Sequence, residues 1–258
     1  MNTNSKSAIS EADKSVHTDR RSATFVGIMF ILATVSSMLG LFYFYPPILT
    51  DPNYLVNGAA HTNQVVLGAL MELVLVGTAI GTAIGLFPVL RPYGERIALG
   101  HLCFRFLEAV VITIGIVALL SLLTLSQTFV ASGADDASSF HVAGAVLHAV
   151  YKWTSMIGPL FFLGINTLMY SSLLYKSKLV PRPLAVWGLT GAILVFGYAM
   201  LVMFGVAVQA ADRWVFLAMP IGIFEMVFAG WLIAKGFNPS ATASESPKTE
   251  TRMFVTAA

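Results

Sequence analysis

Charged residues are scarce in this sequence. Only 11% of its 258 residues are Asp, Glu, Lys or Arg, whereas 57% are hydrophobic. Soluble domains average about 25% charged residues, and so few charges cannot cover a globular surface with polar groups. This composition argues against a water-soluble globular domain and predicts that lipid is the solvent. The net charge of +2 is also too small to indicate nucleic-acid binding.

Disulfides and familiar enzyme motifs are also missing. The single cysteine, Cys103, cannot form an internal disulfide, and its apolar surroundings in the sequence predict a small buried residue. There is no GxSxG, no phosphate-binding Gly-rich loop, no CxxC and no set of His boxes. These absences argue against serine hydrolases, nucleotide-driven pumps and di-iron desaturases, but not against acid catalysis by carboxyl groups. The N-terminus does not have the form of a signal peptide.

Long apolar runs are what the sequence does have. Six of them reach the length of about 20 residues that a helix needs to cross the hydrocarbon core. The predicted spans are residues 23–45, 63–90, 97–127, 153–175, 184–208 and 214–234. Residues 23–235 are therefore predicted to form an all-α domain, a polytopic transmembrane bundle of six helices. The polar tails 1–22 and 236–258 are predicted to be disordered.

The distribution of Lys and Arg predicts the orientation in the membrane. Twelve of them lie in the two tails and in alternate loops, whereas the opposite loops hold only Lys152 and Arg213. The twelve are Lys6, Lys14, Arg20, Arg21, Arg91, Arg96, Lys176, Lys178, Arg182, Lys235, Lys248 and Arg252. Because positive loops stay in the cytoplasm, we expect a multi-pass protein of the cell inner membrane with both termini cytoplasmic.

Residues 138–152 allow two interpretations. Joined to the fourth span they would make a helix of about 54 Å at 1.5 Å per residue, which exceeds a core of about 30 Å. The segment is therefore expected to be either a separate interfacial or re-entrant helix, or an extension of span 4 beyond the membrane.

Small residues recur along span 2. Gly77, Gly81 and Gly85 lie four residues apart and share one helix face, a pattern that permits close contact with a neighbouring helix. We interpret this stripe as a packing surface, with a hinge or gate as the alternative.

Four ionisable residues fall near the middle of predicted spans. They are Glu72, Arg105, Glu108 and Glu225. Each would cost at least a few kcal/mol if it faced lipid alone, so a shared network with Arg105 paired to carboxylates is expected. Two interpretations remain open, namely a structural clamp that holds the helices in register and the polar floor of a ligand or catalytic cavity.

Three further polar residues are candidates for the same site. Asn166 lies in the middle of span 4 and is expected to hydrogen-bond across helices. His101 is either an interfacial residue or an entrance to the Arg105 cluster. Gln64 lies near the outer end of span 2, where it could contact a ligand.

Histidines near the outer side are weak candidates for a metal site. His61, His141 and His148 could join Asp135 or Asp136, but their spacing matches no compact zinc motif. The alternative is a set of polar residues at a wet interface. A haem held by His101 and His148 is disfavoured because the two residues start from opposite sides of the membrane. No metal or cofactor is therefore predicted.

Three segments carry a resemblance to a known family. They are NQVVLGALMEL at residues 63–73, ALGHLCFRFLEAV at 98–110 and LLYKSKLVPRPLAVWGLTGA at 173–192. In this order they resemble the hallmark segments of a bacterial family of six-span membrane proteins that is labelled only as a domain of unknown function. The resemblance implies that Gln64, Glu72, Arg105, Glu108 and the segment 179–182 are family features. It implies no activity.

Three functional hypotheses follow. The first is a membrane protein that binds or transports a small lipophilic or protonatable ligand through its buried carboxylates. The second is an intramembrane enzyme in which Glu72, Glu108 or Glu225 acts as a general acid on a lipid or isoprenoid. The third is a structural or accessory subunit. The expected partners are the lipid bilayer and such a ligand, and the sequence indicates no oligomeric state.

Overall fold

The computed structural model of the chain describes residues 3–133, 137–209 and 213–238, with side chains from Arg20 onward except that of Arg213. Helices are the only regular elements in these ranges. The α-helices are α1 Thr3–Met38, α2 Pro46–Leu49, α3 Tyr54–Ala60, α4 Thr62–Leu90, α5 Glu95–Ala131, α6 Ala137–Met156, α7 Leu163–Ser177, α8 Arg182–Met203 and α9 Met219–Ala234. Two π-helical segments, π1 (Leu39–Phe44) and π2 (Ile157–Phe162), and two 3₁₀ segments, Arg91–Tyr93 and Arg213–Ala218, connect them.

Six of the helical stretches in the described residues are long and apolar enough to cross a membrane. They are Arg20–Phe44, Thr62–Tyr93, Glu95–Ala131, Ala137–Ser177, Arg182–Met203 and Trp214–Ala234. The six-span prediction is therefore confirmed, with each stretch close to the predicted one except the fourth. Helix α1 begins at Thr3, within the N-terminal tail 1–22. The disorder of this tail remains a prediction. Residues 239–258 of the C-terminal tail lie outside the described residues.

The six spans form a closed ring. Along the ring, α1 packs against α4, α4 against α5, α5 against α6 and α7, α7 against α8, α8 against α9, and α9 returns to α1. Each span thus contacts its neighbours in sequence, as short connections between antiparallel helices require. The two ends of the ring are called here the Arg91 end and the α3 end. The closed arrangement creates an interior that faces away from lipid.

The fourth span is a continuous helix much longer than the predicted one. Helix α6, segment π2 and helix α7 follow one another without a break over 41 residues, which is about 60 Å at 1.5 Å per residue. Residues 138–152 are therefore an extension of span 4, not a separate helix. Helix α5, with 37 residues, accompanies this extension, and α3 packs against α5. Together these elements form the α3 end.

Hydrogen bonds at the Arg91 end connect the first and the last residues of the membrane domain. The Arg20 guanidinium donates hydrogen bonds to the carbonyls of Ile233 and Ala234, 3.2 Å each, which are among the unpaired carbonyls at the C-terminus of α9. The amide of Asn238 bonds the carbonyl of Leu179 at 2.8 Å. These contacts hold the first, fifth and sixth spans in one ring.

Two of the three stripe glycines do pack against α1. A Cβ atom at Gly85 would lie 2.5 Å from Val26 Cγ2, and one at Gly81 would lie 3.0 Å from Met29 Sδ. At Gly77 the same atom would meet nothing within 4 Å. The packing interpretation therefore holds for the half of the stripe nearer the Arg91 end.

This difference gives a test of the ring packing. We expect Gly85→Ala to destabilise the protein by about 1–3 kcal/mol, because the added methyl group must displace side chains of α1. Gly77→Ala is the matched control, expected to be neutral or stabilising by up to about 1 kcal/mol because alanine favours helix. Thermal unfolding in one detergent compares them, and equal melting temperatures would contradict the described contact.

Candidate functional site

Arg105 and Glu108 form a buried ion pair on α5. Both residues are 4% exposed, and their spacing of three places them on one helix face. Arg105 Nη1 lies 3.0 Å from Glu108 Oε2, and Arg105 Nε donates to the carbonyl of Ala79 at 3.2 Å. The Asn166 side-chain amide donates to Glu108 Oε2. The network therefore joins α4, α5 and α7.

Aromatic rings enclose this network. The Arg105 guanidinium lies 6.0 Å from the centre of the Phe30 ring, within the range of a cation–π interaction. The Phe30 ring packs edge-on against Phe228, and Phe224 and Phe228 stack with Tyr170. Rings from α1, α7 and α9 thus pack around Arg105 and Glu108 at this level, and the two residues with their partners are called the clamp below.

Glu225 lies beside the clamp without joining it through a hydrogen bond. Its Oε1 atom is buried and has no hydrogen-bond partner, and it belongs to α9, across the ring from α5. Its carboxyl interacts electrostatically with Arg105 and Glu108. Three of the four predicted ionisable residues, one guanidinium and two carboxyl groups, therefore interact with one another.

His101 is buried inside the helix ring. It is 1% exposed, one helical turn from Arg105 on α5, and its ring centre lies 5.2 Å from that of Tyr170. It lies near the main chain of Asn166, but neither ring nitrogen has hydrogen-bonding geometry with a partner. His101 therefore packs inside the helix ring, next to the Arg105 group. Cys103 is exposed, so its predicted burial is wrong, because it lies on the outward face of α5.

Glu72 belongs to a different group. Its Oε2 accepts a hydrogen bond from the Tyr45 hydroxyl at 2.9 Å, and its Oε1 accepts one from the Tyr151 hydroxyl at 3.2 Å. No ion pair or hydrogen bond joins Glu72 to Arg105. Glu72 precedes Ala79, the clamp residue of α4, by seven positions, or about 10 Å along the helix. The expected single network is therefore two separate groups.

A cavity of about 510 Å³ opens beside Glu72. All six spans contribute to its wall. Its polar side includes Glu72, Tyr151, Lys152 and His148, and its apolar side includes Leu75, Ile112, Pro159 and Leu160. Pockets of this volume with a mainly apolar lining and few polar groups are typical of small-molecule sites. Arg105, Glu108, Glu225 and Asn166 are not among the residues that line it.

Both π-helical segments border this cavity. Leu41 of π1 and Pro159 and Leu160 of π2 line it. In π1 the amide of Tyr45 bonds the carbonyl of Gly40, five residues earlier, and this wider turn brings the Tyr45 ring against α4. Gly68 leaves room for the ring, since a Cβ atom there would collide with it. π-helical turns occur frequently at functional sites.

The predicted outer histidines are spread over the α3 end. His61 Nδ1 lies 2.9 Å from the Asn57 carbonyl, and the rings of His141 and His148 flank Tyr54 at 6.3 and 4.7 Å. Burial raises the pKa of Tyr54. Over the described ranges no group of three or more His, Cys, Asp or Glu could hold a metal ion. Asp135 and Asp136 lie outside the described residues.

Gln64 does not reach the cavity. Its side-chain amide donates to the carbonyl of Tyr43 at 2.9 Å, which fixes π1 against α4. The residues that sequence reasoning missed as partners of Glu72 are Tyr45 and Tyr151. They are 27 and 79 positions away in the chain, and no local spacing pattern connects them to Glu72.

The ring of six spans with a buried ion pair defines a polytopic helical membrane protein. A family model described as a domain of unknown function, DUF4386, matches residues 25–236. The chain belongs to this family, which confirms the predicted membership in a family of unknown function. Comparisons with curated proteins and with solved structures returned no match.

The clamp makes a direct prediction about stability. We expect Arg105→Met to cost about 3–5 kcal/mol of unfolding free energy, because it leaves the Glu108 carboxylate buried without its partner. The double variant with Glu108→Leu should recover most of this loss, since it removes both charges. Denaturant unfolding in detergent measures all three proteins.

The exposed ion pair of the same helix region serves as the control. Arg91 Nε lies 2.9 Å from Glu95 Oε1 with both side chains largely exposed, and such pairs contribute about 0–1 kcal/mol. Arg91→Met should therefore change stability little. A loss for Arg91→Met as large as that for Arg105→Met would contradict the role assigned to burial.

Proposed function

We propose that this membrane protein binds a small lipophilic or protonatable ligand in its cavity, with Glu72 as the recognition group. The observation that supports this most strongly is a carboxyl group held by two tyrosine hydroxyls beside a cavity of about 510 Å³. Among the described residues that line the cavity, Glu72 is the one carboxylate. Intramembrane carboxyl groups beside cavities are functional candidates.

The chemistry of Glu72 suits a hydrogen-bond donor. Each carboxylate oxygen can accept two hydrogen bonds, and each oxygen of Glu72 accepts one from a tyrosine. One acceptor position per oxygen therefore remains for a ligand hydroxyl or amine. The low dielectric of the site strengthens such a bond relative to water. The tyrosines in turn fix the carboxyl orientation before the ligand arrives.

The remaining wall favours an apolar ligand body. Leu75, Ile112 and Leu160 are among the apolar residues that line the cavity. Burial of apolar ligand surface against them contributes about 25 cal/mol per Å². A ligand with one polar group and an apolar body therefore fits both sides of the cavity.

Binding can be tested without knowing the ligand in advance. The protein is purified in mild detergent, and co-purifying molecules are identified by native mass spectrometry and lipidomics. We expect a molecule bound to the wild-type protein and at least about tenfold less with Glu72→Gln, corresponding to about 1.4 kcal/mol. Tyr151→Phe should give a smaller loss, because the carboxyl group remains but loses one of its two orienting bonds.

Glu95→Gln is the matched control, because Glu95 is an exposed carboxylate at the other end of the ring. It should retain the ligand as the wild type does. No bound molecule in the wild type, or equal retention by Glu72→Gln and Glu95→Gln, would contradict the proposal. Proton-coupled uptake into proteoliposomes would extend binding to transport.

An acid-catalysed reaction on a lipid is the second candidate. It is favoured by the position of the Glu72 carboxyl on the cavity wall, since a general acid must lie within hydrogen-bond reach of the group that it protonates. In this case the lipid profile of cells expressing the wild-type protein would differ from that of cells expressing Glu72→Gln. Identical profiles combined with a bound ligand favour the binding function.

We also propose the inner-membrane orientation with both termini in the cytoplasm. The described charges at the Arg91 end, such as Arg91, Arg96 and Lys176, support it. A C-terminal green fluorescent protein fusion should fluoresce, whereas a C-terminal alkaline phosphatase fusion should be inactive. The reverse pair of results would place the Arg91 end outside.

A further inference from the structure

The cavity contains charges of both signs that do not neutralise each other. Glu72 lies on one wall and Lys152 lines the mouth, and the two side chains form no ion pair with each other. Tyr151, which bonds Glu72, is the neighbour of Lys152 in α6. Successive residues of a helix point about 100° apart, so Tyr151 faces Glu72 while the Lys152 side chain stays exposed.

The positions of these charges define a ligand with two complementary groups. A purely cationic ligand would bring a positive charge near Lys152, and a purely anionic one would bring a negative charge near Glu72. A ligand that carries one positive and one negative charge can pair with both residues. His148 and Gln209 provide further polar contacts at the same mouth.

The lining of the cavity also includes well-exposed apolar residues. Two of its lining residues are well exposed, Leu41 at 46% on the first span and Val215 at 41% on the sixth. At the Arg91 end these spans are closely packed, since a Cβ atom at Gly27 would lie 2.8 Å from the Ala229 carbonyl. The exposed lining therefore lies towards the α3 end, where apolar side chains at the surface border the cavity.

We propose that the cavity binds a zwitterionic lipid that enters from the bilayer between the first and sixth spans. The primary ammonium of its headgroup bonds Glu72, the phosphate pairs with Lys152, and the acyl chains extend past Leu41 and Val215 into the membrane. This ligand class rests on the proposed function of the cavity. It adds the headgroup chemistry and the direction of access.

The headgroup chemistry gives a selectivity. A primary ammonium has three N–H donors that can reach the free acceptor positions of Glu72, whereas a quaternary ammonium has none. Lysine binds phosphate as a compact point charge. Phosphatidylethanolamine should therefore be preferred over phosphatidylcholine, which lacks the donors, and over phosphatidylglycerol, which lacks the positive charge.

The test uses the full chain in nanodiscs with equal amounts of these three lipids, followed by native mass spectrometry. We expect phosphatidylethanolamine to be enriched about fivefold or more in the wild type, a difference of about 1 kcal/mol, because it is the one lipid of the three that offers ammonium donors to Glu72. Glu72→Gln should lose the preference over phosphatidylcholine. Lys152→Gln should weaken retention of phosphatidylethanolamine, and Lys152→Arg should restore it.

A long-chain primary amine separates the roles of the two residues. Because it has an ammonium but no phosphate, its retention should depend on Glu72 but not fall with Lys152→Gln. Lys235→Gln, at an exposed lysine of the Arg91 end, is the charge-matched control. It should change the retention of neither ligand.

Access from the bilayer is tested by exchange kinetics. Val215→Trp, at the exposed lining position, should slow the exchange of bound lipid severalfold. Val227→Trp, on the same span and 44% exposed but not part of the cavity wall, should not. Equal exchange rates for the two variants would overturn the proposed route.

The outcomes distinguish this inference from the function on which it rests. A wild-type protein that retains no molecule overturns both. A molecule retained through Glu72 but lacking either charge, or bound equally well by Lys152→Gln, overturns the zwitterionic assignment and leaves the proposed function standing. Phosphatidylethanolamine retained through both residues supports both.

Discussion

The buried Arg105 guanidinium is the constraint on which the ring depends. A charge at this depth must have partners inside the protein, and Arg105 finds them on three helices through Glu108, the Ala79 carbonyl and, by way of Glu108, Asn166. Each partner can reach Arg105 only when its helix has one particular rotation about its axis and one particular height in the bundle. Satisfying the charge therefore sets the register of α4, α5 and α7 together, which apolar packing alone specifies only weakly in a membrane.

The two halves of the ring interior have opposite characters. Towards the Arg91 end, rings such as Phe30, Tyr170 and Phe228 fill the space around the clamp. Towards the α3 end the interior is open, and Glu72 lies on its wall. The same physical need, to keep ionisable groups from lipid, is met by pairing in one half and by tyrosine hydroxyls in the other.

The sequence predicted the spans and the pairing of Arg105 with a carboxylate because both are local properties. Apolar runs show the spans, and a spacing of three joins Arg105 to Glu108. It assigned Glu72 to the wrong neighbours because depth along a span does not show which way a side chain turns. The partners of Glu72 come from a π-helical turn and from an extension of span 4, and neither leaves a local pattern. The burial of His101 likewise depends on the tertiary position of Tyr170.

The π-helical segments have a consequence for how such a cavity can change. Each contains a turn that is wider than an α-helical turn, and everything beyond it is rotated relative to a regular helix. If Leu39–Phe44 were wound as a regular α-helix of the same sequence, Tyr45 would be turned away from Glu72, with every cavity side chain still present in the sequence. The wall of this cavity thus depends on the backbone winding of two helices, and alignments that compare only side-chain identity would not detect a change in it.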